Sequence, residues 1–208
     1  MTPKEIIAEQ AIEMFFSSGI KSITMDDISR ETGVSKRTIY ENFRDKDELV
    51  STCLKMMDER FGNKYERIEK EAENSIIMVL RFMKLGIDIF NTINPLFFSD
   101  LKKYHFKVWK ETMAERDKKH YARTLSILRK GMEEGMFRNK INIEVVAILL
   151  NEQLRILSDE TVFPASRFPK SVVFENVMIN FFRGIATIKG LELIEKHLGE
   201  ESDISVTV

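Results

Sequence analysis

Nine glycines and four prolines are spread through 208 residues, so few positions are able to break a helix or close a tight turn. Fifteen phenylalanines and eleven methionines supply core volume instead. Such a chain favours long helices over many short strands, and the expected fold class is all-α. With 43% apolar and 31% charged residues the chain lies in the globular range, which excludes wholesale disorder and low-complexity fibres.

The helix starts are written in side chains. Thr2-Pro3-Lys4-Glu5 offers a cap, a proline at the first helical position and a capping-box glutamate, with Ile6, Ile7, Ala11, Met14 and Phe15 as the expected buried stripe and Gly19 as the end. Thr24 to Asp27 repeats the box ahead of a short helix to about Glu31, with Ile28 inward. Gly33 suits a turn that needs positive φ, Ser35 caps a third helix through Phe43, and Asp45 to Glu48 opens a fourth with Leu49, Leu54 and Met57 inward. From about residue 75 the helices become longer and more apolar. In Ile76 to Phe90 only Arg81, Lys84 and Asp88 are polar, as expected of a central helix. Asn94-Pro95 breaks the chain before two stretches that reach Gly135, whose lysines at 102, 103, 107, 110, 118 and 119 read as a solvated face. Asn142 caps a helix with Asn151, Arg155 and Ser158 as its polar stripe, and a last helix is expected from about Ser171 to His197. The expected division is a small helical domain at 1–50 and a larger helical domain at 51–208, with the helix from about residue 45 joining them.

Thirty-two basic against 33 acidic side chains leave a net charge of -1, so any contact with nucleic acid has to be local. The corner around Gly33 supplies it. A helix-turn-helix needs two short helices at a large angle, inward apolar residues on both sides, and an exposed second-helix tip able to reach base edges. Ile28, Gly33, Val34 and Ile39 meet the scaffold requirement, while Ser35, Lys36, Arg37 and Thr38 place two hydroxyls and two cations at a helix N-terminus that favours phosphate. From Ser35 to Phe43 the helix spans ~13 Å, which fits a major groove ~12 Å wide.

Ala11, Phe15-Phe16, Gly19, Thr24, Ile28, Gly33-Val34-Ser35, Thr38-Ile39-Tyr40, Phe43, Lys46 and Leu49 are spaced as in the tetracycline-repressor (TetR) family of bacterial transcription regulators, which the first fifty residues resemble. Ser29 and Thr32 stand where that family usually has alanines, and both are small enough for the corner. The resemblance implies DNA contact by Thr24, Ser35, Lys36, Arg37, Thr38, Tyr40 and Lys46, with Tyr40 and Lys46 on phosphates and 36 to 38 nearest the bases. Taken alone, Tyr40 reads equally well as a core aromatic beside Phe43, and Lys46 as an ordinary solvated lysine. The resemblance further implies a helix-turn-helix DNA-binding domain at 1–50, a ligand-binding and dimerisation domain at 51–208, a homodimer through the helices at 143–158 and 171–197, double-stranded operator DNA as partner and a small-molecule effector; the single Cys53 and the lack of a secretion pattern point to a reducing cytoplasm.

Phe82, Phe90, Phe106 and Trp109, with Arg81 and His105 as candidate polar anchors, form a group read either as the lining of a site for an apolar or aromatic effector or as plain core. His105 and His120 have no partners at metal-ligand spacing, so neither a metal nor another cofactor is expected. Cys53 reads as a buried or idle thiol. The N-terminal stretch lacks a secretion pattern and no apolar run reaches a membrane span, so no membrane partner is expected. No GxSxG, Walker, Rossmann or zincin signature occurs, and the chain is expected not to be an enzyme. The rival to a ligand-responsive repressor is a helical carrier of an apolar small molecule that retains a vestigial DNA module.

Overall fold

The computed structural model describes residues 2–157, 159 and 161–204, with side chains through 199. Ten helices are present among them: α1 (Pro3–Ser18), α2 (Met25–Thr32), α3 (Lys36–Asn42), α4 (Lys46–Glu71), α5 (Ser75–Thr92), α6 (Leu96–Tyr104), α7 (Phe106–Glu133), α8 (Ile143–Ile156), α9 (Lys170–Ile185) and α10 (Ile188–Ile204). No strand occurs among the described residues, and the one β feature is an isolated antiparallel bridge between Phe137 and Ala186. The all-α class is as expected.

Two compact units result, and they interleave along the chain. The first is Met1–Lys64 with Ile89–Arg116, and the second is Tyr65–Asp88 with Asp117–Val208. The sequence reading divides the chain once, near residue 50, and so assigns α6 and the start of α7 to the later domain. They belong to the same compact unit as α1 to α3 because Leu101, Phe97, Ile93 and Val108 share a core with Ile7, Phe15 and Ile28.

In the first unit, local chemistry sets the helix starts. The Thr2–Glu5 and Thr24–Asp27 capping boxes are both closed, and Pro3 stands in the first turn. Ser35 Oγ accepts from the Thr38 N–H at 3.1 Å, and Asp45 Oδ1 accepts from the Glu48 N–H at 2.9 Å. Gly33 takes the left-handed conformation at φ 70°, which ends α2 and aims the chain into α3. The stripe of α1 sits one position from expectation: Ile7, Ala8, Ala11, Ile12 and Phe15 are buried, whereas Ile6 is 45% exposed. The i, i+1, i+4, i+5 pattern follows the packing of α1 on α2, α3 and α6.

The second unit encloses Leu128, Phe137, Ala147 and Phe182 in its core. Here the expected single helix from 171 to 197 is two helices. At their junction Arg138 N–H donates to Ile185 O, Thr187 N–H donates to Met136 O at 2.9 Å, and Thr187 Oγ1 accepts from Gly190 N–H. Backbone from fifty residues earlier thus takes the groups that a continuous helix would pair internally. Likewise, the stretch expected to run from Leu96 to Lys110 breaks at His105, whose φ of -127° caps α6. Ser158 of the anticipated polar stripe lies outside the described residues, as does the last position of the 143–158 span.

Candidate nucleic-acid interface

The α2–α3 corner rests on fully buried Ile28, Ile39 and Phe43, so the opposite side of α3 is fixed by packing and left to solvent. Burial of each such side chain contributes about 1.5–3 kcal/mol. Of the seven predicted DNA residues, Thr24, Ser35, Lys36, Arg37 and Tyr40 are exposed, and Tyr40 presents 53% of its surface. A core role for Tyr40 is therefore set aside. Thr38 is partly covered, with its hydroxyl 2.9 Å from Ser35 Oγ.

The cations of the tip do not float. Lys36 pairs with Asp26, Arg37 with Glu41 at 2.8 Å one turn on, Arg30 with Asp27, and Arg44 with Asp45 at 2.9 Å. These pairs are exposed and individually weak, about 0.2–1 kcal/mol, so phosphate can displace the carboxylates. They hold long side chains near the positions they need. Asp27 is held below the usual carboxylate range, first by the Thr24 hydroxyl and then by the Thr24 backbone N–H.

Lys46 differs from the others. Half-buried, its ammonium donates to the carbonyls of Ile20 and Ile23, and burial pushes its pKa down despite nearby Asp100 and Asp27. It closes the α1–α2 turn, which two of its three N–H donors already occupy. That duty was not visible in sequence, because it depends on residues 23 and 26 positions away.

The structure also assigns duties to residues that sequence reading passed over. Asn94 donates from its backbone to Phe16 O at 2.8 Å and from its side chain to Ser17 O at 2.9 Å. Asp100 Oδ2 accepts from the Lys21 N–H at 2.7 Å, and a Cβ on Gly19, at φ +79°, would stand 2.9 Å from that same oxygen. Asp47 pairs with buried His105. These ties fasten α6 to the turn before α2 and to the first turn of α4.

The six residues assigned to an effector are divided between the two units. Arg81 and Phe82 lie in the second unit, where Phe82 is buried edge-on to Tyr65 at 5.2 Å and Arg81 donates to Glu71 O. Phe90, His105, Phe106 and Trp109 lie in the first. Phe106 is 57% exposed and stacks on Trp109 at 5.6 Å, and His105 is engaged by Asp47. Burial drives the Cys53 thiol strongly upward, which makes it inert at neutral pH. Among the described residues no group of three or more His, Cys, Asp or Glu side chains is placed to hold a metal, and no helix is long and apolar enough to cross a membrane.

A short capped helix, its packed face buried and its basic tip open, is what major-groove reading requires. Residues 7–53 match the family model for bacterial regulatory proteins of the tetR family. The chain is 27% identical over 190 residues to an HTH-type transcriptional regulator of Bacillus subtilis, YvaF, covering 88% of this chain and 94% of that one. Residues 7–53 thus form a tetR-family DNA-binding domain. Another relative is the HTH-type transcriptional repressor KstR2 of Mycolicibacterium smegmatis, 22% identical over 153 residues, covering 69% of this chain and 71% of that protein. The fold is shared with a transcriptional regulator from Cytophaga hutchinsonii, at a TM-score of 0.70 and 19% identity, over 88% of this chain and 98% of that one. The chain is a DNA-binding transcriptional regulator.

Proposed function

We propose that the regulator is a ligand-responsive repressor that binds a palindromic operator as a homodimer, with the expected division of labour between residues 1–50 and 51–208. The observation that carries the DNA assignment is the α3 tip, where Lys36, Arg37 and Tyr40 stand exposed on a helix whose other side is locked by Ile39. Lys36, Arg37 and Thr38 meet base edges; Thr24, Ser35, Tyr40 and Lys46 engage phosphates and set register. KstR2, a repressor by name, supports the direction of control.

Dimerisation is supported by α8, which leaves Val145, Ile148, Leu149 and Ile156 between 41% and 53% exposed along one side. Such a stripe needs a partner surface, and with α9 and α10 it forms the interface. The effector is apolar or aromatic and enters the second bundle beside Phe82. There Arg81 keeps donors beyond the one given to Glu71.

Selection of bound duplexes from a random pool, with and without a mixture of hydrophobic metabolites, tests the whole reading. The expected consensus is two-fold symmetric, with half-site centres ~34–36 Å or more apart, and its enrichment falls when an effector is present. An asymmetric single site bound by monomer overturns the dimeric repressor. Leu149→Glu places a charge on exposed surface in the monomer and inside the proposed interface in the dimer, where an unpaired carboxylate costs several kcal/mol. Sedimentation is expected to show a folded monomer with greatly weakened operator binding; a dimer of unchanged affinity moves the interface elsewhere.

A further inference from the structure

The basic side chains of the first unit fall into two electrostatic classes. At the recognition tip each cation faces a carboxylate. Around the α6–α7 corner the lysines face aromatic rings. Lys21 and Lys103 stand 5.0 and 5.4 Å from the ring centre of Tyr104, and Lys102 stands 5.6 Å from that of Trp109. All three lysines are exposed and, among the described residues, none forms an ion pair. The single carboxylate between Ser99 and Lys110 is Asp100, which is buried and accepts the Lys21 N–H. Lys107 and Lys110, also exposed, extend the same sign. Lys21 over the Tyr104 ring, ahead of the Lys103 charge, lowers the phenol's pKa. Held on rings rather than paired with carboxylates, the ammonium groups keep their charge available, with Asp100 the acidic neighbour of Lys21.

Their position is fixed from two sides. Lys21 precedes Thr24, the cap of α2, by three residues, so the two Cα atoms are at most ~11 Å apart. His105, the residue after Tyr104, is joined to Asp47, the neighbour of Lys46. The cluster thus borders both helix starts that carry predicted phosphate contacts. Duplex DNA carries a charge every ~1.7 Å of axis, so a surface displaced sideways from the recognition tip meets further backbone.

We propose that Lys21, Lys102 and Lys103 bind backbone phosphates of duplex DNA outside the half-site read by α3, lengthening the footprint without reading sequence. The proposal rests on the DNA-binding role of the first unit. Only Phe106 adds sizeable apolar exposure on α7 beside the cluster, and that is little for anchoring in a lipid surface.

The test uses the full chain and the pool-selected consensus in duplexes with flanks of about 2 or about 12 base pairs. Affinity is measured by fluorescence anisotropy from 50 to 200 mM salt, the range over which phosphate contacts show their dependence. The triple variant Lys21→Gln, Lys102→Gln, Lys103→Gln is expected to lose about ten-fold or more on the long duplex and to stay within about two-fold on the short one. Its salt slope on the long duplex flattens by ~0.9 per lost contact, near ~2.7 per protomer. The selected consensus does not change. The arginine triple retains the wild-type slope, and Lys118→Gln with Lys119→Gln leaves both duplexes unaffected. Unchanged long-duplex affinity in the glutamine triple, equal loss on both duplexes, or an altered consensus overturns the proposal. So does loss of pelleting with phosphatidylserine-containing vesicles while DNA binding persists. A wild-type chain that binds no duplex of any length defeats the reading of α3 itself, an outcome distinct from failure of the flanking lysines alone.

Discussion

The corner at Gly33 and the break between α9 and α10 are both places where one helix ends and another starts, yet they are specified differently. At the first, Gly33, Ser35 and Thr24 each act within three or four residues of their own position. At the second, Thr187 and Ala186 meet Met136 and Phe137, and without that encounter the chain has every reason to remain helical. Local specification makes a motif portable and readable. Long-range specification ties a helix boundary to the assembly of a whole unit.

The sharpest way to break this comparison is to remove Phe137, which is 1% exposed and lies 5.7 Å from the Phe182 ring. Phe137→Ala is expected to destabilise the chain by about 3–5 kcal/mol, measured by urea unfolding. A cost below ~1 kcal/mol would mean that the α9–α10 break stands without the Phe137 side chain packed beside it. Next in size, Thr187→Ala and Phe137→Leu combined in a double-mutant cycle are expected to couple by about 0.5–3 kcal/mol, because the Thr187 hydroxyl and the residue 135–137 backbone form one network. Additive effects would show the two sides of the junction to be independent.

For the locally specified corner a smaller effect is expected. Thr24→Ala should cost about 0.5–2 kcal/mol and leave the unfolding of the second unit unaltered. The smallest effect concerns acid. Since the Asp27 pKa is lowered by folding, the stability it contributes is complete above the ordinary carboxylate range and declines as pH falls through the folded value. An NMR titration of the Asp27 carboxyl is expected to give a midpoint below that of an unstructured peptide, and a normal midpoint would show the Thr24 box to be open in solution.

This contrast also explains what could be read in advance. Capping residues, the Gly33 turn and the α3 tip follow from side chains acting on nearby backbone, so the first fifty residues disclosed their local fold and the exposure of the α3 tip. Of the expected α1 stripe Ile7, Ala11 and Phe15 are buried, but Ala8 and Ile12 take the places of Ile6 and Met14, because only the packing of α1 selects which flank of the stripe is covered. The tie between His105 and Asp47 spans 58 positions. A lone histidine bears no mark of such a partner. The effector group divides between the two units for a related reason: aromatic residues at helical spacing announce burial, but not which of two interleaved cores they enter.

The ion pairs at the recognition tip carry one more consequence. Chemically the tip is an ion exchanger supplied in its loaded form, with Asp26 and Glu41 as resident counterions on Lys36 and Arg37. Binding is then an exchange reaction, and an incoming polyanion gains only the difference between its contacts and those it replaces. A groove that presents the right bases adds bidentate bonds to that difference. A featureless polyanion does not, so the resident carboxylates, displaced at the same cost in both cases, remove a larger share of the attraction to arbitrary DNA than of the attraction to the correct site.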